Sequence, residues 1–268
     1  GAMKVMSACV LAGVSKIVLK SSTQVYGALP ANPAFLAEDH PLNGSRRYGY
    51  TRDLVEIEAF CNGFMRQNMA RHVMARQSPQ VKLTVLRFPG IIGPDADTPM
   101  TRFLQDPAKP VLLGFNPLLQ IIHQADVVSA LVHAAMNDVP GVFNVAAEGA
   151  LPLSKLMGLA GKLAWPVPHP LAYWGVALGG LELAPIELDY LRYPWVGDLS
   201  RMKQTLGFVP RYTSAEALRE FAAHQRLRLY TPEADALAYD EQRLRDTIER
   251  RRRNRDQHTA APAYQDEA

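Results

Sequence analysis

The chain has 268 residues, 48% of them hydrophobic and 21% charged, which suits one large α/β domain or two small ones and excludes collagen-like and disordered classes. The net charge of +3 is local, because seven arginines and three acids between Arg243 and Asp256 leave the rest at −1, so no nucleic-acid footprint is predicted. Cys9 and Cys61 are too few for a disulfide framework, which points to a reducing, cytoplasmic setting.

The first thirteen residues read as the second half of a helix, stopped at Gly13. No charged segment precedes an apolar run there, so no signal peptide is expected. Lys16 to Lys20 is a β-branched run that feeds Ser21-Ser22, as a buried strand opening into a polar loop does. A loop rich in Pro and Asn fills Ala28 to Gly44. A long amphipathic helix follows from Tyr48 to about Met69, with Leu54, Val55, Ile57, Phe60 and Phe64 on its apolar face. Strands are predicted at Leu83–Phe88, at Leu119–Ile122 and at Val142–Val145. A helix lies between the last two at Ala125–Ala135, with Asp126 in its favourable first turn. Strands alternating with helices imply a parallel sheet covered on both faces. From Ala150 onward the pattern is helical and Pro-rich, up to a good helix at Thr213–Leu229 and a charged segment beyond it. The longest apolar stretch, Leu171 to Pro185, contains Glu182 and adjacent glycines and falls short of the roughly 20 residues that span a membrane. Its part from Leu171 to Leu183 is a candidate wall for a greasy pocket, although Tyr173, Trp174 and Trp195 read first as core.

Chemistry concentrates in Ser21-Ser22-Thr23-Gln24-Val25-Tyr26-Gly27 and Tyr48-Gly49-Tyr50-Thr51-Arg52. A hydroxyl at the carboxyl end of a strand is where open α/β sheets place ligands. A tyrosine opening the next helix can meet it across the cleft, and Arg52 stands one helical turn beyond Tyr48. A cation there favours phenolate, so Tyr48 is predicted to act as a general base well below its usual pKa of about 10. Placing Tyr50 in that role instead puts Leu54 at the cation position. No histidine or cysteine cluster has metal-ligand spacing, so no metal is expected. His123 reads as a structural histidine, and Asp95 and Asp97 as loop formers.

These blocks resemble the extended short-chain dehydrogenase/reductases, the group of sugar-nucleotide epimerases and dehydratases. The resemblance continues in Leu86-Arg87-Phe88-Pro89-Gly90-Ile91-Ile92-Gly93-Pro94, His123-Gln124-Ala125-Asp126-Val127, Asn144-Val145 and Leu206-Gly207-Phe208-Val209-Pro210. It implies a Rossmann-type doubly wound sheet with a smaller, mainly helical substrate-binding part. The expected divisions are 1–147 (with 95–118 contributing to the substrate part), 148–229, and a charged extension over 230–268. It also implies hydride transfer at a carbinol carbon with NAD or NADP. Ser22, Tyr48 and Arg52 become catalytic. Ser21, Tyr48, Arg52, Phe88, Pro89, Gly90 and Ile91 become cofactor-binding, and Thr23, Gln24 and Tyr26 face a small-molecule substrate. A homodimer through the Tyr48 helix and the helix before it is implied as well.

Three departures qualify what the resemblance implies. Arg52 stands where the family has lysine, and arginine is planar, wider and never deprotonated. Leu119 occupies a position where sugar-nucleotide epimerases often grip a phosphate with arginine. No G-x-G-x-x-G occurs in the chain, although those glycines let backbone amides approach a pyrophosphate. The expectation is therefore an N-terminally truncated member that lacks the first strands and binds dinucleotide weakly. The alternatives are a dehydrogenase of an apolar, lipid- or hydroxysteroid-like alcohol, and a catalytically silent dinucleotide-binding regulator or inactive fragment.

Overall fold

A computed structural model describes residues 2–46, 48–75, 81–168, 170–171, 174, 188–230, 245–246 and 249. Most of the apolar stretch from Leu171 to Leu183, including Tyr173, and nearly all of 231–268 lie outside the described residues. The chain divides into two compact units, Gly1–Ala222 and Ala223–Ala268.

Three parallel strands form the central sheet: β1 (Lys16–Ser22), β2 (Lys82–Phe88) and β7 (Gly141–Asn144), in the order β1-β2-β7. The register pairs Ser22 with Phe88 and Arg87 with Asn144. Side chains alternate across a strand, and this alternation sorts the core. On one face Ile17, Leu19, Leu83 and Val85 meet Met6 of α1 (Ala2–Leu11) and Cys61 of α2 (Gly49–Ala75). On the other, Val18, Leu86 and Phe88 meet Val127, Ala130 and Ala134 of α4 (Gln124–Met136). Lys16 fixes that second face by donating to the carbonyls of Ala135 at 3.2 Å and Asn137 at 2.7 Å. The predicted α/β class and parallel sheet with helices on both faces are what the chain adopts.

Helix ends follow local chemistry. Gly13 has φ +70° and stops α1. The short α3 (Pro99–Phe103) has proline at its start and a reciprocal cap between Thr98 and Thr101. His123 caps α4, its Nδ1 accepting from the Ala125 amide at 3.3 Å, which is the structural role expected of it. Asp126 does more than face a helix dipole. It is buried and accepts the amides of Arg211 at 2.8 Å and Tyr212 at 3.0 Å, holding the turn that leads into the helix Ser214–Tyr230.

Two predicted features differ. The strand expected over Leu119–Ile122 is two strands, β5 (Leu118–Leu119) and β6 (Ile121–His123). They part at Gln120, whose buried amide leaves the ladder to bond the backbone of Gly197 at 3.0 and 2.8 Å. β5 pairs antiparallel with β8 (Leu151–Pro152), and β6 pairs parallel with β3 (Gly90–Ile92). The Pro-rich region after Ala150 also contains a strand the sequence hides. β9 (Leu163–Val167) runs parallel to β4 (Ala108–Leu112), with Pro110 opposite Trp165. Proline breaks a long sheet but is tolerated in a two-stranded ribbon, where one edge of each strand needs no ladder partner. Leu112 and Val167 of this ribbon join Leu153, Leu156 and Leu191 in a separate core.

Candidate active site

The carboxyl end of β1 turns sharply because Ser22 caps one turn of 3-10 helix over Thr23–Tyr26, its Oγ accepting from the Gln24 amide at 3.2 Å. The turn closes on Gly27 at φ +73°, where a Cβ would lie 2.5 Å from the Asn43 carbonyl oxygen, so only glycine fits. At Gly44 a Cβ would come within 2.5 Å of Thr51 Cγ2. These two close approaches lay the loop onto the first turns of α2 and bring the start of that helix beside Ser22.

A cavity of about 200 Å³ opens at this point. Ser22, Gln24 and Tyr50 line one side, and the Pro89-Gly90-Ile91 turn lines another. Lys20 and the segment from Asp97 to Met100 complete the wall. Gln24 is 7% exposed, and its Oε1 has no hydrogen-bond partner among the described residues. A buried polar atom without a partner costs free energy unless a ligand or water satisfies it. A Cβ on Gly90 would meet Met100 Cε at 2.7 Å, so this part of the wall is built around a missing side chain.

Tyr50 keeps 44% of its surface accessible at the mouth of the cavity. Desolvation raises its pKa above the ordinary tyrosine value, and the charge of neighbouring Tyr48 adds to this, while a hydrogen bond with Ser22 pulls the other way. The tyrosine brought to Ser22 is therefore Tyr50, two residues beyond the Tyr48 expected from the motif. Tyr48 precedes α2, and its carbonyl takes the first helical amide, that of Arg52, at 2.9 Å. Tyr48 lies before the helix and Tyr50 within its first turn, and their rings meet edge to face at 6.5 Å. Arg52 is likewise not at the cavity wall. Its Nε and Nη2 donate to Asp53 Oδ1 at 3.0 and 2.9 Å on the exposed side of α2.

Of the residues expected to hold a cofactor, Pro89, Gly90 and Ile91 line the cavity. Ser21 and Phe88 do not: Phe88 is 1% exposed in the core, and the Ser21 hydroxyl donates to Glu58 on the opposite face of β1. Of the expected substrate contacts, Gln24 lines the cavity. Thr23 is buried, with Oγ1 unpartnered among the described residues, and Tyr26 is fully buried in the network beneath the site. Leu119 is 2% exposed and supplies no charge.

That network explains the Leu-Arg pair on β2. Arg87 Nη2 donates to Glu58 Oε2 at 2.6 Å, and its Nη1 donates to the Tyr26 hydroxyl at 2.7 Å and the Glu38 carbonyl at 2.9 Å. The Tyr26 hydroxyl donates to Asn144 Oδ1 at 2.6 Å, and the Asn144 amide donates to Glu38 Oε1 at 3.0 Å. Desolvation pulls the Arg87 pKa down, but bonding and charge from Glu58 outweigh it and leave a net rise. Burial raises Tyr26 against the opposing pull of Arg87. The network joins β1, β2, β7 and α2 directly under Ser22. Nothing in hydropathy marks it, although an arginine inside a strand of otherwise apolar and β-branched residues is a signal that it must be paired. Sequence reasoning also missed Lys20 and Asp97 at the cavity wall, for which strand alternation back from Ser22 was the available clue to Lys20.

No protein-family model matches the chain. Uncharacterized proteins of Mycobacterium tuberculosis and Mycobacterium bovis are 35% identical over 229 residues, which is 82% of this chain and 57% of theirs. The chain thus spans little more than half the length of the curated relatives it matches. Among solved structures, a UDP-N-acetylglucosamine 4-epimerase from Methanobrevibacter ruminantium superposes with TM-score 0.61 at 18% identity, over 85% of this chain and 68% of that one. A dTDP-glucose 4,6-dehydratase from Bacillus anthracis, in complex with NAD, gives TM-score 0.58 at 17% identity, over 84% and 66%. The chain has the fold of the extended short-chain dehydrogenase/reductases. A UDP-glucose 4-epimerase from Thermotoga maritima shares this fold at TM-score 0.58 and 17% identity, over 85% and 69%. Within the fold as this chain builds it, no group of three metal-ligating side chains occurs among the described residues, and none of their helices is long and apolar enough to cross a membrane.

Proposed function

We propose that the chain carries the reacting end of a nicotinamide-dependent oxidoreductase site of epimerase, dehydratase or dehydrogenase type. The observation that carries this reading is one cavity lined by the Ser22 hydroxyl, the Tyr50 phenol and the Pro89-Gly90-Ile91 turn, with the side-chain Oε1 of Gln24, unpartnered among the described residues, in its wall. Pro89, Gly90 and Ile91 would hold the nicotinamide ring of NAD or NADP, and Gln24 would meet a polar group of the ligand. When bound, such a cofactor accepts or returns a hydride. The chain's own residues handle the proton. Ser22 orients the substrate oxygen by hydrogen bonding, and Tyr50 takes the proton from that hydroxyl as the carbinol carbon is oxidised. Reduction of the carbonyl reverses the transfer.

The substrate is a small molecule with a secondary alcohol. Sugar nucleotides are bound by proteins of the same fold, but Leu119 offers no cation for a phosphate, so an apolar alcohol stands beside them as a substrate class. The second reading, a dinucleotide-binding protein without turnover, is favoured by one observation. The residue one helical turn from Tyr50 is Leu54, and Arg52 is bonded to Asp53 instead. A homodimer through α1 and α2 belongs to the same proposal, and sedimentation velocity tests it.

Fluorescence titration of the chain with NADH and NADPH tests the site: saturable enhancement is expected with at least one, and none with either overturns both readings. Turnover is then sought with UDP-glucose, dTDP-glucose and apolar secondary alcohols. Dinucleotide binding without turnover on any of them decides for the silent reading.

A further inference from the structure

The ribbon of β4 and β9 carries greasy side chains that the interior does not take up. We propose that this ribbon, with the helical residues that follow it, is a docking surface for an anionic phospholipid bilayer. The chain lies on such a membrane through it and does not cross. No residue of this surface lines the cavity at Ser22, so the inference goes beyond the proposed oxidoreductase site.

Its basis is exposure and charge. Leu163 and Trp165 stand two residues apart on β9 and share a face. Opposite them in the register lie Ala108 and Pro110, and that face turns into the core only at Val167 and Leu112. On the other face Ala164 and Pro166 border a cavity of about 310 Å³ with Val111 and Phe115. Leu113 ends the ribbon, its amide donating to the Val167 carbonyl at 2.9 Å. The stretch that reads from sequence as a pocket wall continues the pattern, since Leu171 and Trp174 are helical and three positions apart. Leu113, Leu163, Trp165, Leu171 and Trp174 are all between 56% and 73% exposed. Single exposed apolar residues are ordinary, but a run of them with aromatic rings marks an interaction surface.

Charge selects the occupant. From Gly149 to Leu181 there is no Asp or Glu, and the only Lys or Arg residues are Lys155 and Lys162. Lys155 is exposed on the short helix Leu153–Leu159. Lys162 immediately precedes β9, its ammonium donating to the Gln105 carbonyl at 3.1 Å. Asp106, just before β4, is paired with Lys109. Indole rings settle where lipid headgroups meet acyl chains, leucines reach below that level, and lysines extend their ammonium groups to lipid phosphates. A protein that added a strand to β9 would use its backbone amides, and Pro166 within the strand and Pro168 just after it have none.

The test is co-flotation of the full chain with lipid vesicles, read as a partition coefficient, with quenching of tryptophan fluorescence by brominated lipid as a second readout. The parent is expected to float with vesicles of mixed phosphatidylcholine and phosphatidylglycerol and far less with phosphatidylcholine alone. Leu163→Ser combined with Trp165→Ser is expected to lower the partition coefficient about tenfold or more. Lys155→Gln and Lys162→Gln are each expected to lower it about fivefold. Trp165→Phe is expected to keep flotation and to weaken the quenching. Circular dichroism of each variant establishes that the fold is intact. The arginines from Arg250 to Arg253 are the competing source of anionic-lipid binding. Flotation lost when they become Gln, yet kept by the Leu163→Ser, Trp165→Ser variant, overturns the proposal. So does a parent that does not float, or one that floats equally with phosphatidylcholine alone. Self-association of the parent in sedimentation velocity that the double variant abolishes also overturns it, because a second copy then covers the ribbon. None of these readouts needs a cofactor, so failure here leaves the NADH titration standing, and failure of that titration leaves this surface standing.

Discussion

Two arginines pair with acids five positions apart on the same helix, yet they do opposite things. Arg87 reaches Glu58 with side-chain exposures of 3% and 2%, whereas Arg52 reaches Asp53 with 50% and 61%. The buried pair is bonded on all sides, by Ser21, Tyr26 and the Glu38 carbonyl, and ties three strands to α2. The exposed pair ties two neighbouring residues of one helix to each other. Charge inside the molecule ties the strands to the helix beneath the site, and charge on the outer side of α2 stays in solvent. A motif reads the two alike, since it records residue type and spacing without solvent.

This contrast is sharpest where one partner is removed. Arg87→Ala strands the Glu58 carboxylate in the interior and is expected to cost about 3–5 kcal/mol in urea unfolding. A loss below about 1 kcal/mol would erase the distinction between the buried and the exposed pair. On the cavity side, Tyr50→Phe is expected to reduce turnover by about 100- to 10,000-fold, and Tyr48→Phe by less than about tenfold. Equal losses in the two variants would return the acid–base role to Tyr48.

The buried side also has an alkaline limit. Cys61 is 1% exposed between α1 and the sheet, with Sγ 3.6 Å from Met6 Sδ, and burial pushes its thiol from 9.0 up to about 11. Because the folded pKa is the higher one, the stability this thiol contributes is complete below about pH 9 and declines as pH rises through 11. The decline amounts to about 1–3 kcal/mol and is read from urea midpoints across that range. Cys61→Ala flattens the arm. In the native chain at neutral pH, a thiol reagent is expected to modify the half-buried Cys9 and leave Cys61 untouched. The smallest effect belongs to the exposed pair: Arg52→Gln is expected to change stability by no more than about 0.5 kcal/mol, and a larger change in urea unfolding would mean the pair with Asp53 is more than a surface contact.

Much of the fold was legible beforehand. Lys16 to Lys20, Leu83 to Phe88 and Val142 to Val145 carry β-branched runs of strand length, and Tyr48 to Met69 carries a helical stripe. The three strands appear within two residues of where they were expected, and the helix starts one residue later and runs on to Ala75. β9 was hidden by Pro166, because a local reading sees the missing amide and not the ribbon edge that needs none. The cavity wall was half legible. Ser22, Gln24 and Pro89 to Ile91 follow strand ends, where position along the sequence nearly fixes position in space. Lys20 was passed over because a lysine in a strand ordinarily marks an exposed edge, and Lys20 is indeed exposed where it borders the cavity.

The sequence by itself determined that a serine would stand at the end of a parallel strand beside the start of a long helix, because strand runs, turn glycines and helix caps are local properties. Only the tertiary structure decided which tyrosine meets that serine, and which cation shares its cavity. Those choices depend on the helix phase at which α2 begins and on how Gly27 and Gly44 let the loop settle against it. Tyr48 stands before the first residue of α2 and Tyr50 within its first turn, and no local preference selects between them.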